Sequence, residues 1–201
     1  MGPAQAKNAL KECLAVGADQ AFLVTDRAFG GSDTLATSYI LSCAIKKVAE
    51  LEGGFDAIFC GKQAIDGDTA QVGPEIAEHL GLPQVTYALE AELTNDGLTI
   101  LKECEDANQK IAVSLPCLVT FTKPSFDPRY PTIKRKLAAN RAEIPVLGED
   151  AFPDIEQDPH WFKRISYSCK EILCSASQTG RRYDQRRVKY GFCTETCGNA
   201  Q

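Results

Sequence analysis

The residues best placed for chemistry run from Cys60 to Pro74, in the stretch CGKQAIDGDTAQVGP. The stretch begins at the carboxyl end of an apolar run that reads as a strand and ends inside a segment that reads as a helix. Ligands of open α/β sheets bind at that kind of turn. Free N–H groups at a helix start, with the helix dipole behind them, favour a phosphate. Gly61 and Gly67 permit tight turns and close backbone approach. Asp66, Asp68, Thr69 and Gln71 carry the hydrogen-bonding groups a ribose or a base needs. The stretch matches neither the GxGxxG fingerprint nor the GxxxxGK[ST] phosphate loop. A plainer reading stands beside the nucleotide one: Asp68 caps the helix and Asp66 sits in a turn, because such turns are common without ligands.

The rest of the chain offers less. His79 and His160 are far apart, and His79 falls late on an expected helix as an exposed or packing residue. No Ser-His-Asp or Cys-His set follows from them. Cys13, Cys43, Cys60, Cys104 and Cys117 fall in expected helices or strands, where cysteine serves as a small apolar residue. Cys169, Cys174, Cys193 and Cys197 are spaced C-x4-C and C-x3-C, not the C-x2-C of a zinc knuckle. Carboxylates are scattered and form no acid–base pair. The expectation is no catalytic residue and no metal.

The elements that must position the Cys60–Pro74 stretch follow from periodicity. Pro3–Leu14 has helical spacing, with Gly17 as its stop. Ala21–Thr25 is a short apolar run typical of a strand buried on both faces. Gly30–Asp33 supplies a loop and an N-cap for a helix over Leu35–Leu51, which stops at Gly53-Gly54. Ala57–Cys60 reads as a second buried strand. Asp68, with Gln71 three residues later, reads as a capping-box variant opening a helix to Leu80. This alternation means an α/β fold with a mostly parallel sheet and helices on both faces. Beyond Pro83, Val85–Leu93 and Leu98–Cys104 are joined by Asn95-Asp96-Gly97, a hairpin signal. Lys110–Leu115 and Cys117–Lys123 follow, so this half is expected to add antiparallel strands. Lys123–Arg141 holds three prolines and six basic residues and reads as a surface excursion.

Composition narrows the class. The 201 residues are 44% apolar and 24% charged, as in globular proteins. No apolar run approaches the ~20 residues of a membrane-spanning helix. No basic leader precedes an apolar stretch, so no signal peptide is expected. The net charge of -5 argues against nucleic acid as partner. Charge is uneven: His160–Gln201 holds eight Lys and Arg against three Asp and Glu. Nine cysteines, an odd number, point to reduced thiols in a cytoplasm and not to a disulfide framework.

The stretch GKQAIDGDTAQVGPEIAEHLGLPQVTY, from Gly61 to Tyr87, resembles the β subunit of electron-transfer flavoproteins. The resemblance takes in Met1–Ala6, Ala15–Asp19 and Asp127-Pro128-Arg129-Tyr130-Pro131, and runs to about Ile155. It implies a Rossmann-like fold of the adenine-nucleotide α-hydrolase-like kind. It implies a heterodimer with a larger α subunit, which holds most of the redox FAD. It also implies an adenine nucleotide in this subunit: AMP in many members, a second FAD in flavin-bifurcating ones. The implied nucleotide residues are Cys60, Gly61, Lys62, Gln63, Ala64, Ile65, Asp66, Gly67, Asp68, Thr69, Ala70, Gln71 and Val72. The wording Asp66–Pro74 is more like the second-FAD group. The chain is then an electron carrier rather than a stand-alone enzyme, with flavin-based bifurcation open to the complex.

In that family the segment after the PRY motif docks an acyl-CoA dehydrogenase or another flavoenzyme. The implied contact residues are Arg129, Tyr130, Pro131, Thr132, Ile133 and Lys134, with Ile133 as the apolar anchor. Lys134, Arg135 and Lys136 would form a charged rim around it. Residues Arg135-Lys136 and Ala138–Arg141 depart from the usual pattern, in which small or apolar residues are followed by a lysine run. As a plainer reading, the segment is a solvated basic loop.

Both ends differ from the family. A β-strand, a nucleotide-contacting loop and a second strand normally precede the position of Met1, so the domain, residues 1–157, is expected to be incomplete at its N-terminus. A sheet lacking those strands exposes an edge. Resemblance stops near Pro159, where the family continues with GLKGSPT. Codons for His160-Trp161-Phe162-Lys163, read one nucleotide later, permit Gly, Leu and Lys in that order, and the shifted frame goes on to permit Gly-Ser-Pro-Thr. Residues 158–201 are therefore expected to be a frameshifted tail without a packed fold, which would account for its charge and cysteines. Two other readings predict different behaviour. A nucleotide-binding regulator of the universal-stress type would be a flavin-free homodimer. A non-functional fragment of the family gene would give an insoluble product.

Overall fold

The computed structural model describes residues 1–65, 67–123 and 126–152. Expectations for Asp66, for Pro124 and Ser125, and for the tail with its cysteines and reading frame lie outside the described residues. The described residues divide into two compact units, Met1–Thr37 with residues 131–152, and Ser38–Tyr130.

The first unit starts with a helical turn and α1 (Lys7–Val16), which ends where Gly17 takes φ 136°. A side chain rarely adopts that angle, so glycine is the natural stop. β1 (Leu23–Val24) is buried, as its apolar run predicts, and pairs in parallel with β7 (Val146–Leu147). The sequence reading did not foresee β7, because a two-residue strand has no period to detect. Between them Asp26 accepts the N–H groups of Ala28 and Glu149 at 3.0 and 3.1 Å. These bonds to the charged form, Ala28 first, hold its carboxyl below the usual value. The Phe29 and Phe152 rings lie 6.3 Å apart. α2 (Thr34–Glu52) opens here, with Asp33 Oδ1 accepting the Ala36 N–H at 2.8 Å as its sequence position predicts. α4 (Ile133–Arg141) lies against α1. Its Asn140 carbonyl accepts Lys11 Nζ at 3.2 Å, and its Arg135 guanidinium donates to the Val16 carbonyl at 3.5 Å.

The second unit is built on a five-stranded sheet in the order β2-β6-β3-β4-β5. The strands are β2 (Ala57–Gly61), β3 (Gln84–Thr94), β4 (Gly97–Lys102), β5 (Gln109–Val113) and β6 (Cys117–Phe121). β3 and β4 form the expected hairpin, with Thr94 opposite Gly97. β5 adds antiparallel to β4, as expected. β6 corrects the expectation of a further antiparallel strand. It inserts between β2 and β3 and runs parallel to both. Its continuous run Cys117-Leu118-Val119-Thr120 is buried throughout, which is the mark of a strand covered on both faces. The α/β class with a mostly parallel sheet and an antiparallel hairpin therefore holds.

Alternation along β6 divides the core. Leu118 faces α2 and α3 (Val72–Leu80), packed with Ile76, Ala77, Leu41 and Ile45. Cys117 and Val119 face the other way, with Val85, Ala88, Leu98 and Ile100. A buried leucine of this kind contributes about 1.5–3 kcal/mol. The β2 run was expected to be buried on both faces, and it is not. β2 is an edge strand of its sheet, with Phe59 59% exposed. Among the described residues no helix is long and apolar enough to cross a membrane.

Candidate nucleotide-binding site

β2 and β6 run in register, and Gly61 lies level with Phe121 at their carboxyl ends. The residues from Gly61 to Gln71 leave the sheet there, at the predicted place. All but Ala70 among the described ones are exposed, and Ile65 is wholly so. Neither Gly61 nor Gly67 takes a positive φ, so the turn does not need them for that reason. A Cβ added at either would meet nothing within 4 Å, so open space lies beside the backbone at both. The bending is done instead by Asp68 and Ala70, at φ 48° and 56°. For alanine that region costs roughly 1–2 kcal/mol.

Asp68 is not the helix cap the sequence suggested. α3 starts at Val72, four residues later, and Gln71 stands at its N-cap position without a side-chain cap bond. The left-handed φ of Asp68 turns the chain before the helix can begin. Its N–H reaches the Ala64 carbonyl at 3.3 Å, and its Oδ1 accepts the Gln63 amide, so the loop closes on itself. α3 is seated close to the sheet. A Cβ added at Gly73 would come within 2.6 Å of Thr120 Cγ2. Glu75 lies in the first turn of α3, with Oε2 buried and no partner among the described residues.

Sequence reasoning missed Tyr87. It stands in β3 at φ 59°, inside the shift of β3–β6 register between Val85 and Ala88. Its N–H donates to Thr120 Oγ1 at 3.2 Å, and its carbonyl accepts the Glu103 N–H at 2.8 Å. Its ring lies under Lys62 Nζ, 5.2 Å from the centroid, within cation–π range. Val85-Thr86-Tyr87-Ala88 carries no glycine or proline to announce a bulge.

Cys60 and Cys117 are packing groups: burial raises both thiols above their ordinary value. Cys13 is exposed and Cys104 lies beyond the end of β4, which corrects their placement among core positions. The His79 ring packs edge-on to Tyr39 at 5.6 Å.

The second candidate region is of another kind. Tyr130 and Ile133 are 85% and 82% exposed. Thr132 Oγ1 caps α4 by accepting the Arg135 N–H at 3.3 Å. The expected surface excursion thus contains a nine-residue helix, with Lys134, Arg135 and Lys136 in its first turns and only Ala139 buried.

Comparison with known proteins identifies the fold family. The electron transfer flavoprotein domain matches residues 1–151. The chain is 53% identical over 149 residues to the electron transfer flavoprotein subunit beta of Megasphaera elsdenii, covering 73% of this chain and 55% of that one. It is 46% identical over 182 residues to the subunit of the same name from Thermoanaerobacterium thermosaccharolyticum, covering 90% and 67%. That match takes in part of the tail beyond residue 157. The caffeyl-CoA reductase-Etf complex subunit CarD of Acetobacterium woodii is 49% identical over 150 residues, covering 75% and 56%. The chain thus spans between half and two thirds of these relatives' length. It belongs to the electron transfer flavoprotein family, as a member of its β-subunit kind.

Proposed function

We propose that the chain works as an electron carrier's β subunit, holding an adenine nucleotide on the Gly61–Val72 loop within a heterodimer with an α subunit. The loop supports this most directly. It leaves the carboxyl end of a parallel pair, is bent by strained residues, and keeps open space beside Gly61 and Gly67. Non-glycine residues in the left-handed region gather at functional sites.

The donors present suit an adenine nucleotide. Lys62 offers a cation and the loop backbone offers N–H groups for phosphate oxygens. Gln63, Thr69 and Gln71 offer groups for the ribose or base. A bound flavin would supply the electron chemistry, and this chain's part is to bind, orient and shield it. AMP and a second FAD share the adenine end, so the same loop serves either.

The exposed Ile133 with its basic neighbours suits a flavoenzyme partner such as an acyl-CoA dehydrogenase: an apolar anchor inside a charged rim. The relative from a caffeyl-CoA reductase-Etf complex supports that class of partner, and a cytoplasmic setting accords with it.

The test is co-expression with an α-type subunit, followed by absorbance and nucleotide extraction. Two FAD per heterodimer supports the bifurcating form. One FAD with AMP supports the simple carrier. A colourless homodimer would favour the universal-stress reading, and an insoluble product the fragment reading. The coding DNA tests the tail: no one-base slip near codons 155–160 restoring a GLKGSPT-like reading would end the frameshift proposal.

A further inference from the structure

Regular pleating would put Val85, Tyr87 and Leu89 on one face of β3. The observed core takes Val85 and Ala88 instead, both buried in the same cluster. One extra residue has been inserted, and the β3–β6 register shifts between Val85 and Ala88 accordingly. A bulge of this kind re-aims a side chain. Here it takes the Tyr87 ring out of the core row and sets it under Lys62, the first residue beyond β2. The backbone is fixed on both sides of the strained residue. Thr120, itself buried, accepts its N–H, and Glu103 donates to its carbonyl. A bulky side chain at φ 59° persists only where its surroundings determine it.

We propose that Tyr87 is a positioning residue. Its ring holds the Lys62 ammonium, and through it the described loop residues Gln63–Ile65 and Gly67–Ala70, in the arrangement that meets the anionic phosphate of an adenine nucleotide. The phosphate rests on the nucleotide reading of the loop; the clamp itself does not.

The experiment compares the full 201-residue chain with Tyr87→Phe, Tyr87→Leu, Lys62→Met and Lys62→Arg. Amide hydrogen exchange is followed at Asp68, whose N–H is bonded to the Ala64 carbonyl within the loop, with β4 and β5 as internal references. Tyr87→Leu and Lys62→Met are expected to speed exchange in the loop about fivefold and leave β4 and β5 unchanged. Tyr87→Phe and Lys62→Arg, which keep a ring and a cation, should match the parent chain. Equal loop exchange in all five proteins overturns the proposal. Lys62 is exposed, so Lys62→Met decides the matter even if Tyr87→Leu fails to fold. Titration with AMP and with FAD is a separate measurement. Binding should weaken about fivefold in Tyr87→Leu and stay unchanged in Tyr87→Phe. If the parent chain binds neither probe, the nucleotide reading falls, and loop exchange still decides the clamp.

Discussion

The two candidate binding regions sit on differently built supports. The Gly61–Gln71 loop hangs from a sheet whose inner strand β6 is buried on both faces, and it ends in a helix pressed against that strand. The Thr132–Arg141 segment belongs to a unit whose described residues form one two-residue strand pair, bury Leu23, Val24, Phe29, Leu147 and Phe152, and add exposed polar ties: Lys11 to Asn140, Arg135 to Val16, and Asp26 to Ala28 and Glu149. Apolar packing tolerates little change in volume. Exposed polar ties are individually weak and respond to pH and salt. A small molecule that must be held in one orientation suits the first construction. A surface that meets a partner transiently suits the second.

Gly73→Ala should show the largest difference. The new methyl group would sit 2.6 Å from Thr120 Cγ2, with Cys60 Cβ and Leu118 Cδ2 at 3.8 Å. Moving α3 off β6 should cost about 1–3 kcal/mol. Urea unfolding followed by hydrogen exchange should register that loss in the Ser38–Tyr130 unit. A variant as stable as the parent would mean that α3 sits more loosely than this packing implies.

Thr132→Ala should cost about 1 kcal/mol by removing the bond from Thr132 Oγ1 to the Arg135 N–H. The effect should stay local: faster exchange in the first turn of α4, and none in the sheet. Spread of the effect into β3 or β6 would contradict the division into two units.

Asp26 should make the first unit sensitive to acid. Its pKa is held below 3.8 by the N–H groups of Ala28 and Glu149. A carboxylate with a lowered folded pKa stabilises fully above the unfolded value, and the contribution disappears as pH falls through the folded one. Asp26→Asn cannot accept both N–H groups through two carboxylate oxygens. It should lower the midpoint at pH 7 and flatten the dependence below about pH 4. Unfolding at pH 7 and pH 3 checks this. An unchanged slope would show that the ties to Ala28 and Glu149 do not hold the unit.

What the sequence revealed follows the same division. Periodicity located α2, the β3–β4 hairpin and the turn after β2, because these rest on repeated local signals and a two-residue Asn95-Asp96 loop. It misjudged β6 and β2, because whether an apolar strand runs parallel, or lies at an edge, depends on its neighbours in space. Asp68 was misread because a residue with good capping chemistry also tolerates the left-handed region, and the chain used the second property. Tyr87 left no local trace: its bulge exists only in pairing with β6.

The smallest expected effect on stability separates the two constructions most clearly. Ile133 is 82% exposed at the start of α4. Ile133→Ser should therefore shift stability by no more than about 0.5 kcal/mol. If the segment docks a flavoenzyme, the same change removes an apolar anchor from the centre of a basic rim and should weaken the complex by about tenfold or more. Raised salt should weaken the parent complex too, because the basic residues Lys134 and Lys136 lie in the same helix close to the anchor. The measurement is electron transfer and binding with an acyl-CoA dehydrogenase, using parent and variant β chains in the same heterodimer. Loss of binding at unchanged stability would mark this helix as an interface. Unchanged binding would leave the segment as a solvated basic helix. Nucleotide retention should be the same in both proteins, because the loop depends on β2, β6 and Tyr87 and not on Ile133.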